Sequence, residues 1–566
     1  MLEEYSIDKK SVVLNFSKGY CKTHQDIFNS SCFYRILELY LEKIGKNDTL
    51  TFGHFKSCFG ETNDLIIEGL IAFFKATIEE KLEQTKIKYK DIFEKQDITL
   101  NFIWDFYNYW RSYERYAIFG ANNDGNFESI TNFTALILKT YRKIRETLIE
   151  SKNKIYRQLN AGINLSIVLS NAKIYEDIYP QLKGVNFIDT IILQPPFFIN
   201  NSGETIVGNF DEVNENPLTS IKLDKNKWLC LPLKIADKIA FVYFHGNFMS
   251  NGIALSNIFE IAEAKDYENR KPDLILVFGA EDNKPGVRTN FYQDKDKGIT
   301  IGYISHDVSV DYFGYMKRML LTIFNIQILD EGKLPVNGYL ANITLKNGNS
   351  YNIIIVGDSS SGKHETIRAF ETLATEYIKE IQSVFSDIGY LYMKDGQIYA
   401  SGTETGVFMK FTELSGSDTY KTMDRGIFIN LENENNIRVA TALNSSGITT
   451  AGYKVDYFLY ANNYEEGTEC NIFDSSEEAI KVFTEGKRVV RTDNSKVEES
   501  VLFANKYGAL QRENETKKLI EKYVKQMIEN KVFVGEIRTG ASLGSYADKG
   551  PLLVARKLFD SIVYSK

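Results

Sequence analysis

The densest chemistry in the chain lies in IIIVGDSSSGKHETIRAF, Ile353 to Phe370. A β-branched run ends at Gly357, a short serine-rich stretch leads to Gly362, and Lys363 follows, giving G-x-x-x-x-G-K. In such a loop, backbone N–H groups at a helix start hold phosphate oxygens and the lysine reaches the terminal phosphates. Gly357, Asp358, Ser359, Ser360, Ser361, Gly362, Lys363 and His364 are therefore the candidate nucleotide-binding residues. The pattern breaks after the lysine, where a hydroxyl for Mg²⁺ would stand and His364 stands instead. A neutral imidazole suits transition metals better than Mg²⁺, so His364 is a candidate metal ligand of altered preference. Asp387, which closes the apolar run of SVFSDIGYLYM, is the candidate metal-holding acid of a phosphoryl-transfer site.

Other chemistry is sparse. The histidines His24, His54, His245, His306 and His364 form no H-x-x-x-H or H-E-x-x-H spacing, which argues against a zincin site. His245 closes the strand-like FVYFH and is kept as a cleft residue. Arg288, in NKPGVRTNFY, is a candidate substrate-binding arginine through bidentate pairing with a carboxylate.

These residues need elements to hold them. CFYRILELYLEKIG, DLIIEGLIAFFKATIEEKLEQ, NFIWDFYNYWRSYERYAIF and NFTALILKTYRKIRETLIESKNKIYRQL repeat apolar residues at three and four, predicting a helix-rich region over 1–180. From 181 to 335 short runs such as VNFIDTIILQ, KIAFVYFHG and KPDLILVFGAED predict a mixed sheet, followed by the helix YMKRMLLTIFNIQIL. Over 336–566, YNIIIVGD, a helix from His364, a hairpin at the Asp-Gly of YLYMKDGQIYAS, VDYFLYANNY and a late helix from Glu513 to Asn530 predict an α/β nucleotide-binding lobe. The fold class expected is mixed α/β, or α+β.

The 566 residues exceed one ordinary domain. With 43% hydrophobic and 25% charged residues the composition is globular. A net charge of −8 without a dense basic block predicts no nucleic-acid partner, but leaves room for a basic pocket for a small anion. Five scattered cysteines without a C-x-x-C pair fit a reducing compartment. MLEEYSIDKK does not look like a secretory signal and no apolar run is bilayer-length, so the expectation is a cytoplasmic chain with no membrane partner.

Several separated segments, in order, resemble one family. DYFGYMKRMLLTIFNIQIL resembles the Y-G-G-E-M-K-K segment and helix of phosphoenolpyruvate carboxykinases. YNIIIVGDSSSGK and FSDIGYLYMKDGQIYASGTETGVFMKF are similar to their phosphate loop and their acidic and glutamate-to-lysine stretches. The likeness runs from about residue 300 to about 430. GDSSSGKHETIRAFE, TMDRGIFINL and VDYFLYANNYEE further resemble a bacterial group of carboxykinase-like proteins.

The resemblance implies a carboxykinase-like two-lobed fold with an added helix-rich N-terminal region, binding ATP or GTP with Mg²⁺ or Mn²⁺ and a small anionic acceptor. It implies that Tyr312 contacts substrate, that Lys317, Arg318, Asp387 and Lys410 are catalytic, and that Arg488 or Arg491 stabilises the transferring phosphoryl group. Glu404 and Lys410 match the family's glutamate-to-lysine spacing. Arg318 stands where the family has a metal-binding lysine, and arginine does not give up its proton to bind metal. Ser386 replaces an aspartate, and no histidine occurs near Ala341 or Asn342, where the family's metal-binding one would fall. The preferred expectation is a nucleotide-dependent phosphotransferase. The alternatives are conversion of oxaloacetate to phosphoenolpyruvate, and a nucleotide sensor or structural protein without turnover. Acceptor identity, ATP against GTP and oligomeric state stay open.

Overall fold

The computed structural model describes the chain except residues 1–3, 9–10, 18, 20, 121–125, 151–160, 174–177, 196, 204, 282–285, 358–360, 374–376, 412–413, 415–424, 431–436, 445, 466, 468, 490–496, 500–502, 504–511, 544–548 and 565–566. The chain is mixed α/β. Its contacts divide it into two compact units, Met1–Asn171 with Ile188–Ile199, and Ala172–Phe187 with Asn200–Lys566. No helix among the described residues is long and apolar enough to cross a membrane.

The first unit is richer in strands than its periodicity predicts. Strands β1 (Ser11–Asn15), β2 (Glu114–Phe119) and β3 (Leu165–Leu169) pair in parallel, and residues 188–193 of β4 (Asn186–Leu193) run antiparallel to β3. Helices α1 (Ser31–Asn47), α2 (Asn63–Glu79), α3 (Gln96–Ser112) and α4 (Asn126–Ile149) bury Leu37, Leu41, Leu70, Phe73, Phe102 and Leu148 together. The segment NFIWDFYNYWRSYERYAIF looks helical throughout, but the helix stops at Ser112 and Glu114–Phe119 are buried strand. The buried Arg115 explains the break: its Nη1 donates to the Trp110 and Arg111 carbonyls at 3.0 and 2.7 Å, satisfying acceptors a helix end leaves open.

In the second unit a first sheet has the order β5 (Trp228–Ile235), β6 (Lys238–His245), β7 (Leu274–Ala280), β9 (Ile299–Ser305), β8 (Thr289–Asp294). Strands β6, β7 and β9 are parallel, so their carboxyl ends share one edge. From that edge the chain enters α5 (Phe313–Asp330), which is buried almost all round, as an apolar-all-round helix must be.

A second sheet holds the phosphate-loop candidate. Its strands are β10 (Leu334–Leu345), β11 (Ser350–Val356), β12 (Ile378–Phe385), β13 (Ile388–Lys394), β14 (Gln397–Gly402), β16 (Tyr457–Asn462) and β17 (Phe533–Arg538), with β15 (Gly406–Lys410) in a separate small sheet. Strands β11, β16 and β17 are parallel neighbours. The run YNIIIV has to be apolar on both sides because both are covered. Ile353 and Ile355 pack with Ile367 and Phe370 of α6 (Lys363–Leu373) and Leu558 of α9 (Gly550–Tyr564). Ile354 and Val356 pack with Phe458, Phe483 of α7 (Ser476–Glu485) and Tyr523 of α8 (Glu513–Glu529). The Asp395–Gly396 hairpin forms between β13 and β14 with both residues at positive φ.

Phe458 is fully buried at the centre of this second layer, with ring centroids 4.8 Å from Phe483 and 6.1 Å from Phe503. Phe458→Ala is expected to lower stability by about 3–5 kcal/mol in chemical denaturation. A loss under about 1 kcal/mol would mean that this layer is not packed as described.

Candidate functional site

Three parallel strands end together at the site. β11 ends before Gly357, β16 delivers Asn462 and Asn463, and β17 delivers Thr539. Open parallel sheets bind ligands at such carboxyl ends. Asp358, Ser359 and Ser360 lie outside the described residues. The loop's exit is fixed by Thr539, whose Oγ1 donates to the Ser361 carbonyl at 2.7 Å and whose N–H donates to the Asn462 carbonyl at 2.8 Å. Gly362 has φ +84°, and a Cβ there would come within 2.8 Å of Thr539 Cβ, so glycine meets both a conformational and a steric demand.

α6 begins at Lys363, a buried residue. Ser361 Oγ is also buried, and it makes no hydrogen bond among the described residues. A buried hydroxyl left in this way at a helix start is what a phosphate oxygen would satisfy. The residues present therefore fit a bound phosphate chain.

His364 has a different setting from that of an open metal ligand. Its Nε2 lies 3.0 Å from the Ser386 carbonyl, which only accepts, so Nε2 carries the proton and Nδ1 the lone pair. Its ring meets Tyr339 edge to face at 5.1 Å. Burial, aided by Lys363, pushes its pKa down to about 3 despite the Ser386 hydrogen bond. The imidazole thus ties the loop's helix to the turn that carries Asp387.

Asp387 joins a compact charge cluster. Its Oδ2 lies 2.9 Å from Lys317 Nζ and 3.4 Å from an Arg318 Nη2, and Glu404 Oε1 lies 2.7 Å from the same Lys317 Nζ. The Lys317 and Glu404 side chains are 2% and 4% exposed, but Asp387 and Arg318 are 28% and 27% exposed. The open side of the cluster is therefore the Asp387–Arg318 side. Burial alone would raise the Asp387 pKa, but Arg318, Lys317 and Lys363 outweigh it and hold the carboxyl far below its usual range. Glu404 moves the other way: burial raises it, Asp387 adds to the rise, and Lys317 only partly opposes. Lys317 is held charged because its two carboxylates outweigh its burial.

Tyr312 sits at the N-cap of α5, five residues before Lys317. Lys410 ends β15 and is exposed. Arg288 donates Nη2 to Tyr303 Oη at 3.1 Å at the edge of the first sheet. Arg488 belongs to the short strand Lys487–Val489, and Arg491 lies outside the described residues. Asn342 donates Nδ2 to Ser350 Oγ and Asn352 Oδ1, at 2.9 and 2.6 Å. Beside Asp387 stands instead Asn337, whose carbonyl accepts from Gly357 N–H at 3.1 Å, while the Asp387 carbonyl accepts from Gly338 N–H at 2.8 Å. Asn337 Oδ1 is buried and has no hydrogen bond among the described residues. Asn337, Asn462 and Thr539 have no motif to flag them in the sequence; only their places at strand ends bring them to the loop.

A resident divalent metal is a different matter from a phosphate. Among the described residues no three His, Cys, Asp or Glu side chains gather where they could hold a metal ion. Asp387 is already engaged by two cations. These residues do not fit a protein-held Mn²⁺ or Mg²⁺. No family model matches the chain, and no curated protein matches it.

Two outcomes follow from this geometry. Lys317→Met strands two carboxylates and is expected to destabilise by about 3–5 kcal/mol in denaturant unfolding. Adding Glu404→Gln to Lys317→Met is expected to recover part of that loss, and no recovery would show that Glu404 does not depend on Lys317. For His364, the unfolded chain binds a proton between about pH 3 and 6.5 that the folded chain does not. Its contribution therefore makes stability fall as pH drops through that window, and vanishes above it. His364→Gln retains a donor for Ser386 and does not titrate, so its Tm is expected to fall less steeply from pH 6.5 to 4 than that of the parent. Parallel slopes would contradict the neutral imidazole.

Proposed function

We propose that the chain is a nucleotide-dependent phosphotransferase with a carboxykinase-like two-lobed core, moving a phosphoryl group between ATP or GTP and a small anionic acceptor. One observation carries the reading. Lys363, buried at the start of α6 after a left-handed glycine, is followed by His364, whose Nε2 donates at 3.0 Å to the carbonyl of Ser386, the neighbour of the Asp387 that pairs with Lys317 and Arg318. A candidate phosphate-binding helix start is thus tied to the turn that carries the cationic cluster's carboxylate.

Phosphoryl transfer is catalysed mainly by positioning and by neutralising charge on the transferring group. Here Ser361 Oγ, the N–H groups at the start of α6 and Lys363 would hold the phosphates. Arg318 would face the charge that develops during transfer, since it stands on the open side of the cluster. Lys317 is closed in by Asp387 and Glu404, so its role is to hold Asp387 in place and keep it ionised. Any divalent ion would arrive on the nucleotide and not on a protein-built site. For the same reason direct carboxykinase chemistry is the weaker reading, because it leans on a metal held by the protein to stabilise an enolate.

The test is thermal stability with ATP, GTP and ADP, each with Mg²⁺ or Mn²⁺. A ligand that binds only the folded state raises Tm. ATP or GTP is expected to raise it for the parent and not for Lys363→Ala. Equal shifts in both proteins, or none in the parent, would overturn the nucleotide site.

A further inference from the structure

The carboxyl edge of the first sheet holds a second cluster that the nucleotide reading does not use. His245 ends β6, Ala280 ends β7, and Ser305 ends β9, followed directly by His306. The two imidazoles stand edge to face with centroids 5.4 Å apart. A bulge brings them together: the β7–β9 register shifts between Phe278 and Ala280, and Gly279 takes φ +85°. A Cβ at Gly279 would lie 2.5 Å from the Phe248 ring and 3.3 Å from His245 Cβ, so the bulge needs glycine to let these side chains close in.

Their hydrogen bonds fix which nitrogens carry protons. Asn247 N–H donates to His245 Nδ1 at 3.2 Å, which leaves the His245 proton on Nε2. Asn247 Nδ2 lies 3.3 Å from His306 Nε2 and can only donate, which leaves the His306 proton on Nδ1. Both rings are partly buried, and neither His245 Nε2 nor His306 Nδ1 has a partner among the described residues. Burial and His306 push the His245 pKa down to about 4; Lys227 lowers it further, and Glu281 and Asp224 oppose. His245 is therefore a neutral donor at pH 7.

Arg288 adds the charge. Its guanidinium lies over the Tyr303 ring at 4.9 Å and donates to the Tyr303 hydroxyl at 3.1 Å. That hydroxyl donates to the Ala280 carbonyl at 3.4 Å, and the same carbonyl accepts from His306 N–H at 2.9 Å. The chain of contacts ties the guanidinium to the histidine pair across β7 and β9. Two imidazole N–H donors and a guanidinium offer hydrogen-bond donors and positive charge, a set matched to a small oxyanion.

We propose that His245 Nε2, His306 Nδ1 and Arg288 form an oxyanion site at the carboxyl edge of β6, β7 and β9, taking a carboxylate or a phosphate. As an anion site it stands on these residues alone. As the place of the phosphoryl acceptor it rests on the phosphotransferase reading.

The test uses the full chain with malonate and inorganic phosphate as probes, by titration calorimetry at constant ionic strength. Arg288→Gln is expected to weaken malonate binding about tenfold or more, as loss of a charged hydrogen bond does. The histidine variants carry a sharper signature. Gln places its amide nitrogen near the imidazole Nε2 and Asn near Nδ1. His245→Gln is thus expected to retain binding and His245→Asn to lose it, whereas His306→Asn retains it and His306→Gln loses it. Variants that merely disturb folding would not give this crossed pattern. Retained phosphate binding in Lys363→Ala but not in Arg288→Gln would assign phosphate to this edge. The reverse would put phosphate on the nucleotide loop and leave carboxylate here. Lys363→Ala is expected to leave malonate binding unchanged, so failure of the nucleotide reading and failure of this one are separable. No malonate or phosphate binding, or binding indifferent to Arg288→Gln and to the crossed histidine pairs, would overturn the proposal.

Discussion

The buried ion pair of Lys317 with Asp387 and Glu404 is the constraint on which the site depends. A lysine with 2% of its side chain exposed keeps its charge only if anions meet it in place of water. Asp387 and Glu404 do so from two different segments, the β12–β13 turn and the loop before β15, while Lys317 itself comes from α5. Three stretches remote in sequence are thereby held at one point. The arrangement is asymmetric: Lys317 and Glu404 are closed in, and Arg318 and Asp387 are the more exposed pair.

The same constraint bears on whether these residues could hold a metal. A carboxylate claimed by two cations is a poor start for a metal site, and Ser386 contributes its carbonyl to His364 and not a carboxylate to a metal. His364 in turn gives the loop a fixed relation to the Asp387 turn through a neutral N–H. Residues that look scattered in the sequence, Lys317, Arg318, His364 and Asp387, thus act together in space. The cluster is built from lysine, arginine and carboxylates, with an imidazole that tethers it to the start of α6.

Much of the second unit was legible from local signals. YNIIIV had to be a strand covered on both faces, Gly362 had to serve a backbone demand, and Asp395–Gly396 had to turn a hairpin. What was not legible is set by contacts remote in sequence. The strand at Glu114–Phe119 followed helical periodicity without a break, because the residue that ends the helix, Arg115, works through carbonyls one turn earlier. Asn337, Asn462 and Thr539 reach the loop by strand order alone. The pairing of His245 with His306 depends on a bulge at Gly279 and parallel strands between them, neither of which a spacing rule reveals.

The central proposal is that cationic side chains, and not a protein-held metal, would neutralise the charge of a phosphate bound at this site. Electron paramagnetic resonance of Mn²⁺ titrated into the full chain without nucleotide tests it most directly. The account predicts that Mn²⁺ keeps the spectrum of the free aquo ion until ATP or GTP is added, and is then captured with the nucleotide. Tight, stoichiometric Mn²⁺ binding without nucleotide that Asp387→Asn abolishes would contradict it.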